Sequence, residues 1–192
     1  NLSSEDRWLL SLPLYHVGGL GVLWRCFLSG STVVLSDDRA ISPELINTTQ
    51  TSHLSLVPTQ VRRLCSLIEG QVLSLPRLKF MLVGGESLSM ALYKLALSYS
   101  LPIQPSYGLT EMTSTVSLTT LLPHCQLKIN TDGEICVTGE SLFKGYLIDG
   151  QMSREGDASG WFRTGDLGYF SENGPLVITG RKDNQFISGG EN

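Results

Sequence analysis

Apolar residues in the first hundred positions fall into short runs that alternate with longer stretches of helical period. Residues 8–12 form one such run, stopped by Pro13, which cannot donate to a sheet ladder. After the Gly18-Gly19 turn, residues 20–28 predict a buried helix. Residues 32–35, rich in β-branched side chains, predict a strand. Ser42-Pro43-Glu44 predicts a helix start, with Ser as N-cap, Pro at the first helical position and Glu on the positive end of the dipole. Residues 53–57 predict the next strand, ended by Pro58. Over 59–69, Val61, Leu64, Cys65 and Ile68 recur at helical spacing with Arg62 and Arg63 outside, which predicts an amphipathic helix. A strand over 78–83 and a helix over 89–100 follow. Such alternation predicts a parallel sheet with covering helices.

Near Tyr107 the pattern changes. Short β segments at 133–138, 161–163, 167–170 and 176–179 are separated by Gly, Asn and Asp, and Asp149-Gly150 and Asn173-Gly174 are strong turn signals. The fold class expected is α/β: a parallel-sheet subdomain over 1–112, then a small β-barrel-like or sandwich subdomain over 113–180, with 181–192 leading out of it.

Composition narrows the function. The chain is 41% apolar and 17% charged with a net charge of −4, so it presents no basic field for nucleic acid or an anionic membrane. No apolar run approaches the roughly 18 residues needed to span a bilayer. Polar and acidic residues open the chain, without the pattern of a signal peptide. The four cysteines, Cys26, Cys65, Cys125 and Cys136, form no CxxC pair and read as reduced, partly buried thiols of a cytoplasmic protein. The histidines, His16, His53 and His124, have no metal-ligand spacing, so no zinc or iron site is expected. A start at Asn1 and an end at Gly189-Gly190-Glu191-Asn192 read as part of a longer protein.

In an open parallel sheet, ligands bind at the carboxyl ends of the strands. Two segments fall there. Val83-Gly84-Gly85-Glu86-Ser87 would let backbone approach a flat ligand, although Gly-Gly alone is more often an ordinary strand-to-helix turn. Ser106-Tyr107-Gly108-Leu109-Thr110-Glu111 offers an aromatic face, a hydroxyl and a carboxylate in one loop. That set suits adenine stacking, a phosphate hydrogen bond and a hard cation, but also a turn with a solvated Glu. Asp166, after Thr164-Gly165, could accept from two ribose hydroxyls or be a hairpin Asp. Arg181 and Lys182 could meet phosphate or ribose, or sit in a solvated turn.

Together these segments are far more specific than any one of them. "YGLTE", "GEICVTGESLFKGY", "GWFRTGD" and "ITGRKDNQFISGGE" occur in the order and near the spacings of the adenylate-forming superfamily of acyl-CoA synthetases, luciferases and nonribosomal peptide synthetase adenylation domains. The resemblance covers essentially the whole chain. "LSLPLYHVGGLGVLWRCFLSGSTVVL", "HLSLVPTQVRRLC" and "FISGGEN" look most like the o-succinylbenzoate–CoA ligases of menaquinone biosynthesis.

The resemblance implies ATP and Mg²⁺, with CoA as co-substrate, and a small carboxylic acid activated as its acyl-adenylate before transfer to the CoA thiol. It places Tyr107 on adenine, Thr110 at the α-phosphate, Glu111 on Mg²⁺, and Asp166 and Arg181 on the ribose. Gly84, Gly85 and Glu86 would line the adenine and acyl pockets, with Ser106 and Gly108 completing the nucleotide loop. His16 would close the acyl pocket near the reacting carboxylate; without the resemblance it reads as a turn histidine. Asp183 would be the hinge to a C-terminal domain, and Ser188, Gly189 and Gly190 would line the pantetheine tunnel. A homodimer is compatible, since relatives commonly form dimers.

Three departures matter. The family's phosphate-gripping loop with its Lys lies upstream of these residues; Ser29-Gly30-Ser31-Thr32 lacks the Lys and runs into a strand. The catalytic Lys of the C-terminal domain lies beyond Asn192, so these residues alone are expected to bind nucleotide weakly and adenylate poorly. Relatives carry a longer Gly-containing loop near 117–124, so residues are expected to be missing there. Competing readings are an aryl- or fatty-acid CoA synthetase, a carrier-protein-loading adenylation domain and a non-enzymatic nucleotide-binding relic.

Overall fold

The computed structural model describes residues 2–36, 40–70, 74–153, 156–157, 159–172, 174 and 176–182. The chain divides into two compact units, the first reaching Pro105 and the second beginning at Ser106.

In the first unit, strands β1 (Arg7–Leu9), β2 (Thr32–Val34), β3 (His53–Leu56), β4 (Phe80–Val83) and β5 (Ile103–Pro105) form a parallel sheet in the order β2-β1-β3-β4-β5. Helices α1 (Val17–Ser29), α2 (Pro43–Thr48), α3 (Pro58–Ile68) and α4 (Met90–Ser98) connect them. Ser42 caps α2 as expected, its hydroxyl accepting from Leu45 N–H at 3.1 Å with Pro43 next in line. Every position of β3 is buried, as befits a central strand covered on both faces. One core joins Leu9, Leu54, Leu56, Met81 and Val83 of the sheet to Ile46, Val61, Leu64, Leu92 and Ala96 of the helices. A smaller one joins Trp8 to Val22 and Cys26 of α1.

Helix α1 is not the buried helix that its composition suggests. Val22 and Cys26 face the sheet, while Leu20, Trp24, Phe27 and Leu28 are exposed, Phe27 at 76% and Leu28 at 80%. At 3.6 residues per turn the second set lies on the opposite face.

In the second unit, β6 (Tyr107–Leu109) and β7 (Ser114–Ser117) form an antiparallel ribbon around a 3-10 turn at Thr110–Met112. Strands β8 (Cys125–Ile129), β9 (Glu134–Gly139), β12 (Phe162–Phe170) and β13 (Leu176–Arg181) make an antiparallel sheet ordered β13-β12-β9-β8. Strands β10 (Tyr146–Ile148) and β11 (Gln151–Ser153) form a hairpin. Its turn residues, Asp149 and Gly150, both take positive φ (48° and 77°), the requirement that their types predicted. Met112, Val116, Ile135, Val137 and Phe162 form this unit's core.

The expected segments 161–163 and 167–170 are one strand, β12, interrupted by a bulge rather than a turn. Residues 117–124 are continuous, which corrects the expectation of missing residues. Ser117 bridges Leu121, and Leu122 N–H donates to Val116 C=O at 2.9 Å, closing the turn into β8.

Candidate active site

All five parallel strands point the same way, so the segments after β1, β3, β4 and β5 leave from one edge of the first unit's sheet. The chain turns one way from β1 to β2 and the other way from β3 onward, so β1 and β3 flank the switch point where such sheets bind ligands. Gln60 braces this point. Its side chain accepts from Val57 N–H at 3.0 Å and donates to Ser11 C=O at 3.2 Å. Ser11 in turn donates to the Ser55 carbonyl. His16 ends the loop after β1 and starts α1, its carbonyl accepting from Gly19 and Leu20 N–H and its ring 4.5 Å from that of Tyr15. Gly84 and Gly85 follow β4; Gly84 N–H donates to Leu56 C=O at 3.2 Å and Gly85 has φ 82°. Glu86 is half-buried beside them.

The second unit brings together residues far apart in sequence. Tyr107, at the start of β6, donates its hydroxyl to Asp166 Oδ2 at 2.7 Å. Arg181 pairs with Asp166 Oδ1 from the opposite position of β13, at 3.1 Å. Asp166 is buried, so its carboxylate needs these partners. Burial first, and then the Asp166 charge, push the Tyr107 phenol far above its ordinary range, which keeps it a donor at neutral pH. Gly108 permits the tight β6–β7 ribbon, since a Cβ there would stand 1.9 Å from the Ser114 carbonyl oxygen.

Thr110 is exposed in the 3-10 turn and Glu111 half-buried beside it. Tyr146 donates its hydroxyl to Glu111 Oε1. Phe143 N–H donates to the Glu111 carbonyl at 2.7 Å, and the Phe143 ring packs against Tyr146 and Phe162. Residues 143–146 therefore hold the loop that carries Glu111. Among the described residues no group of three or more His, Cys, Asp or Glu side chains converges. A single half-exposed carboxylate does not make a zinc site. It fits Mg²⁺, which takes one or two carboxylates and fills its shell with water and phosphate oxygens.

The family model described as AMP-binding enzyme matches residues 1–147. The chain belongs to this family. Beyond the matched residues, similarity to relatives extends through β12 and β13. The chain is 37% identical to the 2-succinylbenzoate–CoA ligase of Haemophilus influenzae, over 98% of this chain and 42% of that protein. It is 31% identical to that of Listeria monocytogenes, over 100% of this chain and 44% of the relative. Among solved structures, it is similar to wild-type E. coli MenE with a bound analogue of OSB-AMS, with TM-score 0.82 and 34% identity over 99% of this chain and 43% of that one. It is also similar to the o-succinylbenzoate coenzyme A synthetase of Bacillus subtilis in complex with ATP and magnesium ion, with TM-score 0.81 and 29% identity over 100% of this chain and 45% of that one. The chain thus spans less than half the length of these relatives.

Four residues picked out by the family resemblance, Asp183, Ser188, Gly189 and Gly190, lie outside the described residues. Tyr146 and Glu134 lie within the motif GEICVTGESLFKGY, but the sequence did not single either out as a site residue. Glu134 carried a signal, a carboxylate opening the apolar run Ile135-Cys136-Val137, where an acid is retained only with partners. Tyr146 closes the same motif, but its contact with Glu111 spans 35 residues of chain and no spacing points to it. No helix among the described residues is long and apolar enough to cross a membrane, and all four cysteines are free and buried.

Proposed function

We propose that the protein containing this chain activates a carboxylic acid with ATP, forming an acyl-adenylate, and transfers the acyl group to CoA, with 2-succinylbenzoate as the acid. The observation that carries this reading is the Tyr107–Asp166–Arg181 constellation, which offers an aromatic face beside a carboxylate and a cation. Tyr107 stacks on adenine, and the Asp166 carboxylate accepts from the ribose hydroxyls with Arg181 alongside. Glu111 holds Mg²⁺, oriented by Tyr146; the ion, when bound, neutralises charge on the phosphates. Thr110, exposed next to it, donates to the α-phosphate. His16 closes the acyl pocket, and Gly84, Gly85 and Glu86 line the adenine and acyl pockets. Asp183 serves as the hinge and residues 188–190 line the path of the CoA thiol.

The chemistry requires this division of labour. A carboxylate attacking the α-phosphorus brings two anions together, so positioning and electrostatic neutralisation carry most of the catalysis. AMP is then a good leaving group for the thiol. The choice of acid rests on the relatives' names and on their identity of 31% and 37% with this chain. Acid-dependent exchange of labelled pyrophosphate into ATP, run in the full-length protein with a panel of acids, tests the reading. Exchange that 2-succinylbenzoate stimulates most, and that Asp166→Ala abolishes, supports it; exchange driven best by another acid discards the assigned substrate.

A further inference from the structure

A second cluster of charges lies beside Asp166. Strand β12 pairs with β9 at Arg163↔Cys136 and again at Leu167↔Glu134. Between those points β12 runs through Thr164, Gly165 and Asp166, while β9 runs through Ile135 alone. The two extra residues form a bulge, a device that re-aims side chains and takes backbone groups out of the ladder. Gly165 accommodates it with φ 75°.

Three backbone groups of the bulge find partners outside the β9 ladder. Asp166 N–H donates to Thr164 Oγ1 at 3.0 Å, and the Thr164 hydroxyl donates to Ile135 C=O at 2.9 Å. Gly165 N–H donates to Glu134 Oε1 at 3.2 Å, so a side chain replaces the missing ladder acceptor. The other Glu134 oxygen accepts from Arg163, through Nε at 3.0 Å and through Nη2, and from Lys182 Nζ at 3.2 Å. Lys182 also donates its backbone N–H to Gly165 C=O at 2.7 Å. Gly165 is therefore gripped through both its amide and its carbonyl. The Glu134 side chain is 5% exposed, whereas those of Arg163 and Lys182 are 52% and 49% exposed. An apolar residue here would leave Gly165 N–H without its acceptor, so the carboxylate is part of the bulge's own hydrogen bonding. What the carboxylate adds is a fixed shape for residues 164–166 and, together with Asp132 at 2.7 Å from the same ammonium, an anchor for Lys182, next to Arg181.

We propose that Glu134 is a positioning residue for nucleotide binding: its carboxylate clamps the 164–166 bulge and the end of β13, and thereby sets Asp166 and Arg181 for the vicinal hydroxyls of a ribose. The inference rests on the ribose-binding reading of Asp166. Glu134 itself touches no substrate.

The test is the ratio of affinities for AMP and 2′,3′-dideoxy-AMP, measured by calorimetry on the full-length protein. A loss of stability alone leaves that ratio unchanged. In the wild type the two hydroxyls, bonded to a charged group, are worth about tenfold or more in affinity. Glu134→Ala brings the ratio to near one, mainly by weakening AMP. Glu134→Gln, which keeps an acceptor for Gly165 N–H but gives up the charge, falls between. Lys182→Met, at an exposed side chain, lowers the ratio in the same direction and keeps the question answerable if Glu134→Ala does not fold. Asp166→Ala is the reference. If Asp166→Ala abolishes the discrimination while the Glu134 and Lys182 variants retain it in full, the clamp is overturned and the ribose reading stands. If Asp166→Ala leaves the discrimination intact, both fall.

Discussion

Asp166 shows what a single residue requires. A buried carboxylate is costly unless partnered, and here the partners are a phenol and a guanidinium. The motif flagged Asp166 and Tyr107 separately. Their hydrogen bond, spanning 59 positions, joins strands of two different sheets, β6 and β12, and was not legible in the sequence. Tyr107→Phe keeps the ring and removes the hydroxyl, and we expect it to weaken AMP binding about 3- to 10-fold by calorimetry. At the amino ends of β1, β3 and β4, away from the candidate site, Asp6 is buried with Lys79 at 2.7 Å and His53 at 4.0 Å. Burial holds the His53 pKa below its ordinary value, despite the nearby Asp6 charge. The folded state therefore binds fewer protons at this group than the unfolded state, so its contribution is full above about pH 6.5 and lost as pH falls below it. Lys79, foremost, holds Asp6 far below the usual carboxylate range, so that group's contribution fades only in stronger acid, below about pH 4. Thermal melts should show Tm already falling between pH 7 and 5, and His53→Gln should flatten that segment.

At the scale of elements, caps and periodicities were readable because they are local. Ser42 and Pro43 start α2, and Val61, Leu64, Cys65 and Ile68 bury the inner face of α3. Ser42→Ala should cost about 1 kcal/mol in denaturant unfolding. What could not be read was non-local. Gly165 looked like a turn between two short strands, yet the sheet continues through it, since Glu134 and Lys182 meet its backbone from neighbouring strands. Helix α1 looked buried because apolar residues lie on both its faces, and composition does not say which face meets the sheet. The β6–β7 ribbon depends on one close approach. Gly108→Ala puts a Cβ against the Ser114 carbonyl, and the resulting shift of Tyr107 should lower nucleotide affinity on the order of tenfold or more. Retention of wild-type AMP affinity in that variant would show that the ribbon can open without moving the site.

The α/β class and the family were legible at the scale of the whole molecule because four ordered motifs constrain the chain together, and the AMP-binding match and the parallel sheet agree with them. The acid was less legible, since acyl selectivity rests on a few pocket residues and no single motif encodes them. The chain also spans less than half the length of its relatives, so the proposed catalysis is to be tested in the full-length protein. The measurement that tests the central claim most directly follows pyrophosphate release and thioester formation in that protein, with ATP, Mg²⁺, CoA and a panel of acids, in the wild type and in Glu111→Gln. The account predicts both products with 2-succinylbenzoate and a loss of both in the variant. A folded protein that releases no pyrophosphate with any acid would contradict it.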